Sequence, residues 1–175
     1  MSRSYTFVRA ASLLLWPLAL YAEAALDVPQ LGLKFASLPD GVSKPVITQA
    51  AAGHEVLIQL GKATLRVYRE NGTVPAGSDV ASPGYRAKLD AKFGKRIEST
   101  DQGAPTAVGG HGAWTVVEAR PAGPTDTAYT CLTYVIAEQH LYRLTIDAVG
   151  LIRPREFDAL VEAQSGISFE PVSQI

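Results

Sequence analysis

The segment with the strongest functional character is rich in glycine and carries one histidine and one tryptophan. Gly109, Gly110, His111, Gly112 and Trp114 lie within six consecutive positions. Glycines allow close approach to the backbone and expose consecutive N–H groups, which can bind anions. His111 adds a titratable donor and Trp114 a flat surface for stacking. We therefore predict these five residues as a candidate site for a ligand or a partner protein.

The same segment differs from a phosphate-binding P-loop. It lacks the Lys-Ser/Thr ending, and it precedes a predicted strand, whereas the P-loop motif needs a following helix. A flexible loop leading into a strand with a buried tryptophan is the alternative interpretation of these residues, because glycines commonly interrupt regular structure. Both interpretations stay open from the sequence.

Metal chemistry is not indicated by the spacing of the histidines. His54, His111 and His140 are separated by 57 and 29 residues, and none has another histidine or a cysteine within five positions. Metal sites that can be read from a sequence have closely spaced ligands. We predict no metal site and no cofactor, while a cluster assembled only by folding stays open.

Nucleophilic catalysis is not indicated either. Ser82 lacks the Gly-x-Ser-x-Gly turn of serine hydrolases and is better explained as the N-cap of a helix. Cys131 lies in a strand-like run, where a lone cysteine is typical of a small buried side chain. A nucleophile or an intermolecular disulfide is the alternative for Cys131. Acidic pairs such as Glu156 and Asp158 are expected on the solvated surface, so we predict no catalytic residue.

The N-terminus predicts export. Arg3 and Arg9 precede an uncharged apolar run at residues 10–21, which ends at Ala22-Glu23-Ala24, a small-x-small cleavage pattern. As a helix that run would reach about 18 Å, too short for a hydrocarbon core about 30 Å thick. We predict a cleavable signal peptide at residues 1–24, a single domain at residues 25–175 without a transmembrane segment, and a periplasmic or secreted location. A buried N-terminal helix or an uncleaved anchor is the alternative.

The composition supports a folded domain and excludes several classes of function. The chain has 175 residues, 16 Lys+Arg against 17 Asp+Glu, 47% apolar residues and one cysteine. This near-neutral balance does not support nucleic-acid binding, which needs a basic surface that follows the phosphates. The apolar content argues against disorder, and a single cysteine excludes an intrachain disulfide framework.

Hydrophobic periodicity and turn residues predict the elements that carry these groups. Strands are predicted at residues 31–38, 46–51, 55–60, 63–70, 113–120, 127–137, 141–149 and 167–169. Helices with one apolar stripe are predicted at residues 83–93 and 154–164, and residues 100–112 are predicted to form an exposed or mobile loop. Amphipathic helices need a partner layer. The predicted fold class is α+β, an antiparallel β-sheet of six to eight strands flanked by two short amphipathic helices.

The order of these elements resembles a known superfamily. An opening strand runs into Leu38-Pro39-Asp40-Gly41, a helix and a long hairpin follow, and the chain closes with a helix and Ile167-Ser168-Phe169-Glu170-Pro171. Over about residues 31–171 this order resembles the Mog1/PsbP-like superfamily, in particular its DcrB-like bacterial envelope branch. The resemblance implies an antiparallel sheet flanked by helices and a non-catalytic role in binding or assembly. It transfers no site residue.

Three classes of function are consistent with the sequence. The first is an exported, non-enzymatic envelope protein that binds another envelope or secreted protein or a small ligand, including an inhibitor or immunity protein that inserts residues 100–112 into a target. The second is a periplasmic hydrolase that uses His111 with a distant carboxylate. The third is a structural stabiliser of a larger complex. The signal peptide and the absence of catalytic spacing favour the first class.

Overall fold

The computed structural model describes residues 25–50, 53–80, 82–93 and 106–172. It contains short and long strands and two helices. The strands are β1 (Leu26–Val28), β2 (Leu33–Phe35), β3 (Val46–Ala50), β4 (Gly53–Leu60), β5 (Ala63–Glu70), β6 (Ala107–Val108), β7 (His111–Pro121), β8 (Thr127–Ala137), β9 (His140–Gly150) and β10 (Ile167–Phe169), and the helices are α1 (Pro83–Phe93) and α2 (Arg155–Ser165). The predicted signal peptide and the end of the chain at residues 173–175 lie outside the described residues.

The strands form two sheets. The larger sheet has seven strands in the order β3-β4-β5-β9-β8-β7-β6, and the smaller has three in the order β1-β2-β10. Every described strand pair is antiparallel. The predicted α+β class with an antiparallel sheet is confirmed. The sequence did not predict the separate three-stranded sheet.

One face of the seven-stranded sheet, here called the inner face, carries the main core. Successive side chains on a strand point to opposite faces, so alternate residues of β4, β5, β8 and β9 share this face. The core includes Ile58, Leu65, Leu144 and Ile146 of the sheet, together with Phe157 of α2. The small sheet adds residues to the same cluster: Val28, Leu33, Phe35 and Ile167. The inner face is therefore covered by α2 and by the smaller sheet.

The opposite face, here called the outer face, has a second and smaller apolar cluster. Trp114 and Val116 of β7 and Tyr134 of β8 are buried there with Leu89 of α1 and with Val80. This cluster occupies the part of the outer face that lies over β7, β8 and the start of β9. Leu141 of β9 is also buried in this cluster. The remainder of the outer face is more polar and is described below.

The N-terminal strand was predicted too long. Residues 31–38 were expected to be one strand, but only Leu33–Phe35 is extended, and a strand at Leu26–Val28 precedes it. A turn joins the two, with Gly32 at a φ of 64° and the Leu31 N–H donating to the carbonyl of Val28. Leu31 is nevertheless fully buried. Apolar burial in a turn produces the same residue pattern as a strand, which explains the error.

The long hairpin has a tighter turn than predicted. Only Glu138 and Gln139 separate β8 from β9, with φ angles of 48° and 61°. Two consecutive left-handed residues match the right-handed twist of antiparallel strands. His140 therefore belongs to β9, where it pairs with Ala137.

The last helix was predicted one residue too early. Pro154 precedes α2 at the N-cap position, with φ −66° and ψ 142°, and provides no side-chain cap. Glu156 and Asp158 occupy the first turn, where acidic groups interact favourably with the helix dipole. Phe157 and Leu160 of this helix are buried, and Val161 is half-buried. In the described residues, no helix combines the length and the apolar character needed to cross a bilayer.

Candidate functional site

The structure places the predicted glycine-rich site in a hairpin. Ala107–Val108 and His111–Pro121 pair as strands, and Gly109 and Gly110 form the turn between them, with φ angles of 57° and 79°. The loop predicted over residues 100–112 is therefore wrong for the described part, because residues 107–108 and 111–112 are in strands. Residues 100–105 lie outside the described residues.

The close approach that Gly109 permits is to the protein itself. A Cβ atom at this position would lie 2.5 Å from the carbonyl oxygen of Ile167 and 2.9 Å from the Phe169 ring. Val108 is fully buried in the main core. The glycine turn thus packs on β10, which gives a structural reason for Gly109.

The structure does not bring His111 and Trp114 together. Three positions separate them on β7, so their side chains lie on opposite faces of the sheet. His111 is half-buried and its ring lies edge-on to Phe169, with 5.5 Å between centroids. Trp114 is 7% exposed and packs against Tyr134 at 6.0 Å. Gly112 pairs with Ala107 in the hairpin. These five residues therefore do not line one concave surface.

The structure also shows the surroundings of Cys131 and His140. Cys131 is buried in the main core, as predicted, with its Sγ 3.5 Å from Nε2 of Gln164. His140 lies near the β8–β9 turn, with Nδ1 2.9 Å from the carbonyl oxygen of Gly72. Within the described ranges, no three His, Cys, Asp or Glu side chains are grouped as a metal site would require.

A different group of side chains forms the best candidate site, and all of them project from the outer face. Strand register places Glu55 opposite Tyr68, and Tyr68 opposite Arg143. The next row across the sheet places Arg66 opposite Thr145. Directly opposed side chains in an antiparallel sheet lie about 4.5–5.5 Å apart at Cβ. The register therefore gathers charged and hydroxyl groups from β4, β5 and β9 into neighbouring rows.

These rows line a shallow depression of about 210 Å³. Its lining comprises Glu55, Arg66, Tyr68, Arg143, Thr145 and Asp147. Two guanidinium groups and two carboxylates thus share one surface, with a phenol and a hydroxyl beside them. We refer to this surface, with those six residues, as the polar face.

Tyr68 and Arg143 form the centre of the polar face. The Arg143 guanidinium lies over the Tyr68 ring, 5.1 Å from its centroid. A Cβ on Gly53 would lie 2.7 Å from the same ring, so the tyrosine covers this glycine of β4. Contacts on two sides hold the ring in place. A cation on an aromatic face contributes about 0.5–1 kcal/mol at an exposed position.

The polar face continues into the Trp114 cluster through Tyr134. Tyr134 stands opposite Arg143 in the register and is buried. Burial raises the pKa of Tyr134 to about 12, although the nearby Arg143 opposes this rise. The phenol is therefore neutral at ordinary pH. Arg143 thus lies between a half-buried tyrosine and a buried one, at the border of the apolar cluster.

The acidic end of the polar face is also organised. The Thr130 hydroxyl donates to a carboxylate oxygen of Asp147 at 2.8 Å. Thr130 and Asp147 are directly opposed on β8 and β9. This bond fixes the orientation of the carboxylate, while its remaining acceptor sites can meet a partner.

The polar face offers both positive and negative groups for ion pairs and hydrogen bonds. Arg66 and Arg143 can bind acidic groups, and Glu55 and Asp147 can bind basic ones. Two other cavities have different linings. One of about 430 Å³ lies between α2 and residues 37–39, with Glu162 as its charged lining residue, and one of about 250 Å³ is formed by residues 25–26 and 38–45. The polar face is the one of these three in which several charged groups converge from neighbouring strands.

A scan against protein-family models gave no match for this sequence, and a search of curated proteins gave none either. The resemblance to the Mog1/PsbP-like superfamily accordingly stays a prediction. The site is therefore interpreted from its geometry alone.

Sequence reasoning missed the polar face because its residues are spread along the chain. Glu55 and Asp147 are separated by more than half of its length, and only strand register makes them neighbours. A signal was present: the polar residues of β5 and β9 recur at every second position. Alternation predicts that such residues share a face, but it does not identify which strands are adjacent.

Proposed function

We propose that this protein is an exported, non-enzymatic binding protein that engages a partner protein through the polar face. Two arginines and a tyrosine on an open sheet surface carry this proposal, since Arg and Tyr are enriched among residues that dominate protein interfaces. Arg66 is exposed, and Glu55, Tyr68 and Arg143 are half-buried. The partner is expected to be another envelope or secreted protein.

The size and chemistry of the depression favour a protein over a small ligand. Small-molecule pockets are commonly about 300–1,000 Å³ and mostly apolar. The polar face is smaller, about 210 Å³, and four of its six lining residues are charged. A protein with basic and acidic groups in complementary positions fits such a surface better, because opposite charges fix the register of docking.

The sequence of residues 1–24 supports export. The absence of catalytic spacing in the sequence and the resemblance to the Mog1/PsbP-like superfamily support the non-catalytic role. That resemblance also implies helices flanking the sheet. One version of this proposal is an inhibitor that inserts residues 100–112 into a target. Val108 is buried and Gly109 packs on β10, so residues 107–110 are poorly suited to such insertion. The hydrolase alternative based on His111 stays a prediction.

Site-specific photo-crosslinking in the producing organism tests this proposal. A photoreactive amino acid replaces Gln59, which lies in the same row across the sheet as Asp147, or, as the control, Lys34 on the small sheet. Both positions are exposed residues in strands. We expect a discrete crosslinked protein from position 59 and none of the same mass from position 34. Equal crosslinking from both positions, or none from position 59, would contradict the proposal.

A second measurement tests the export part separately. Mass spectrometry of the natively produced protein should give an N-terminus at Ala25. An intact N-terminus in a cytosolic fraction would contradict export, whatever the crosslinking result.

A further inference from the structure

A buried arginine lies on the inner face, on the side of the sheet opposite the polar face. Arg69 of β5 is 8% exposed, and its Nε and Nη1 atoms have no hydrogen-bond partner among the described residues. Charged side chains are rarely buried without a partner, because removing a charge from water is costly. The position of Arg69 is therefore unusual for a purely structural residue.

A second unpartnered nitrogen lies beside the first. His54 of β4 stands directly opposite Arg69 on the inner face, and its Nδ1 atom is buried and also lacks a partner among the described residues. Opposed side chains of this kind lie within contact distance. Two nitrogen-bearing side chains on adjacent strands thus converge on one place at the end of the sheet. His54 is half-buried, so part of this residue is exposed to solvent.

The neighbouring phenol cannot balance the charge of Arg69. Tyr142 of β9 lies opposite Arg69 on the other side, and its hydroxyl donates to the carbonyl oxygen of Leu31 at 2.8 Å. Burial raises the pKa of Tyr142 to about 12, although the charge of Arg69 and a hydrogen bond from its guanidinium to the phenol act in the opposite direction, so the phenol stays neutral. This contact leaves Nε and Nη1 of Arg69 without a partner among the described residues. The acidic group that acts on Tyr142 is Glu138, which lies in the exposed β8–β9 turn. It is not bonded to Nε or Nη1 of Arg69.

The surroundings favour a strong interaction with an anion. Phe169 packs against Tyr142 with 4.8 Å between ring centroids, and Tyr142 belongs to the main core. Charge interactions are stronger in such a weakly polar environment than in water. Hydrogen bonds to an ionised group are also shorter and stronger than neutral ones.

We propose that Arg69 and His54, with Tyr142 beside them, form a binding site for a small oxyanion, a carboxylate or a phosphate. Arg69 supplies the positive charge through two unsatisfied N–H directions, and His54 supplies a further nitrogen at the entrance. This site is on the opposite side of the sheet from the polar face. It is independent of the proposed partner protein.

Anion titration of the full mature chain tests the site. Sodium acetate and sodium phosphate are the two probes, and sodium chloride at equal ionic strength is the reference. We expect a saturable rise in melting temperature with one or both probes above the chloride reference. A response to acetate alone indicates a carboxylate site, and a response to phosphate alone a phosphate site. No saturable response to either overturns the proposal.

Two substitutions locate the response. Arg69→Met removes the inner-face guanidinium, and Lys34→Met removes an exposed positive charge from the small sheet, outside both proposed sites. Arg69→Met should weaken anion binding at least about ten-fold, the loss expected when a charge-assisted hydrogen bond is removed. Lys34→Met should leave binding unchanged. An equal response in wild type and Arg69→Met overturns the proposal.

The melting temperature of Arg69→Met in chloride distinguishes an anion-binding site from an ion pair within the chain. If the guanidinium awaits an external anion, the variant should melt in chloride at or above the wild-type temperature, because an uncompensated buried charge is removed. A large fall in melting temperature would show that Arg69 is paired within the chain and would overturn the proposal. If Arg69→Met does not fold, NMR of a second variant provides the same test. Addition of anion should shift the Arg69 Nε–H signal in the wild type, and this shift should be lost in His54→Phe.

Discussion

The two faces of the seven-stranded sheet differ in what covers them. The inner face meets α2 and the small sheet, and its central residues are fully buried: Val56, Ile58, Leu65, Val67, Leu144 and Ile146. On the outer face, the same strands β4, β5 and β9 carry the charged residues of the polar face. Every strand contributes to both faces, so alternation alone creates one apolar surface for packing and one polar surface, to which we assign the proposed recognition.

Each face also contains residues that do not match its general character. The inner face contains a buried arginine beside a histidine at one end. The outer face contains the buried aromatic residues Trp114 and Tyr134 next to the open polar rows. Functional sites are expected where local rules are broken. The first departure is the proposed oxyanion site, and the second borders the polar face where Tyr134 stands opposite Arg143.

The largest effect is expected from the inner face. Phe157→Ala should destabilise the protein by about 3–5 kcal/mol, since the ring is fully buried and its loss leaves a cavity. Tyr68→Ala on the polar face should cost only about 1–2 kcal/mol, because that ring is half-buried and its main interaction is with Arg143. Urea denaturation measures both free energies of unfolding. Equal losses would remove the energetic distinction between the faces.

A smaller but still large effect is expected at the glycine turn. Gly109→Ala combines a φ of 57° with a Cβ 2.5 Å from a carbonyl oxygen, so we expect a loss of about 2–3 kcal/mol. Gly110→Ala is the matched control. Its φ of 79° is equally left-handed, but nothing lies within 4 Å of its Cβ position, so about 1 kcal/mol is expected. Thermal unfolding of both variants distinguishes packing on β10 from turn geometry alone.

The buried tyrosines predict a loss of stability in alkali. The pKa of Tyr142 is raised by burial from 10.0 to about 12. The native state therefore holds this proton more tightly than the unfolded chain. The resulting stabilisation is fully present below pH 10 and is lost as the pH rises from 10 to 12.

Tyr142→Phe checks that assignment. It should cost about 1 kcal/mol at pH 7, through loss of the hydrogen bond to Leu31. It should also make the free energy of unfolding fall less steeply above pH 10, with Tyr134 accounting for part of the remaining slope. Urea titrations at several pH values provide the measurement. An unchanged slope would be inconsistent with this assignment.

The smallest stability effect is expected at Thr130. Thr130→Val removes the hydrogen bond to Asp147 but keeps a β-branched residue in the strand. The site is only partly buried, so a loss below about 1 kcal/mol is expected by chemical denaturation. A loss comparable to that of Phe157→Ala would show that the outer face also functions as a core.

The sequence predicted local structure better than it predicted the site. Period-two alternation identified β5 and β8 with correct bounds, because turn residues enclose each strand. It failed at Leu31, where burial in a turn resembles a strand. Pro154 was misplaced by one residue because proline fits both the N-cap and the first helical position.

The candidate site depends on long-range register, which a single sequence does not encode visibly. The β5–β9 pair joins residues more than seventy positions apart, and this pair creates the polar face. His111 and Trp114 attracted attention because they are close in sequence, yet odd spacing on a strand separates their side chains. Arg69 lies two positions after Val67, so alternation placed it on the apolar face of β5, but arginines are rarely buried and this position was not predicted as a site.

Charge reversal on the polar face tests the central claim most directly. Once crosslinking has identified the partner, its affinity is measured for the wild type, Arg66→Glu and Lys34→Glu. The two variants change the charge equally, at exposed strand positions. We predict at least about a ten-fold loss of affinity for Arg66→Glu, without a change in melting temperature, and wild-type affinity for Lys34→Glu. Equal affinities for the two variants would contradict the assignment of the outer face as the binding surface.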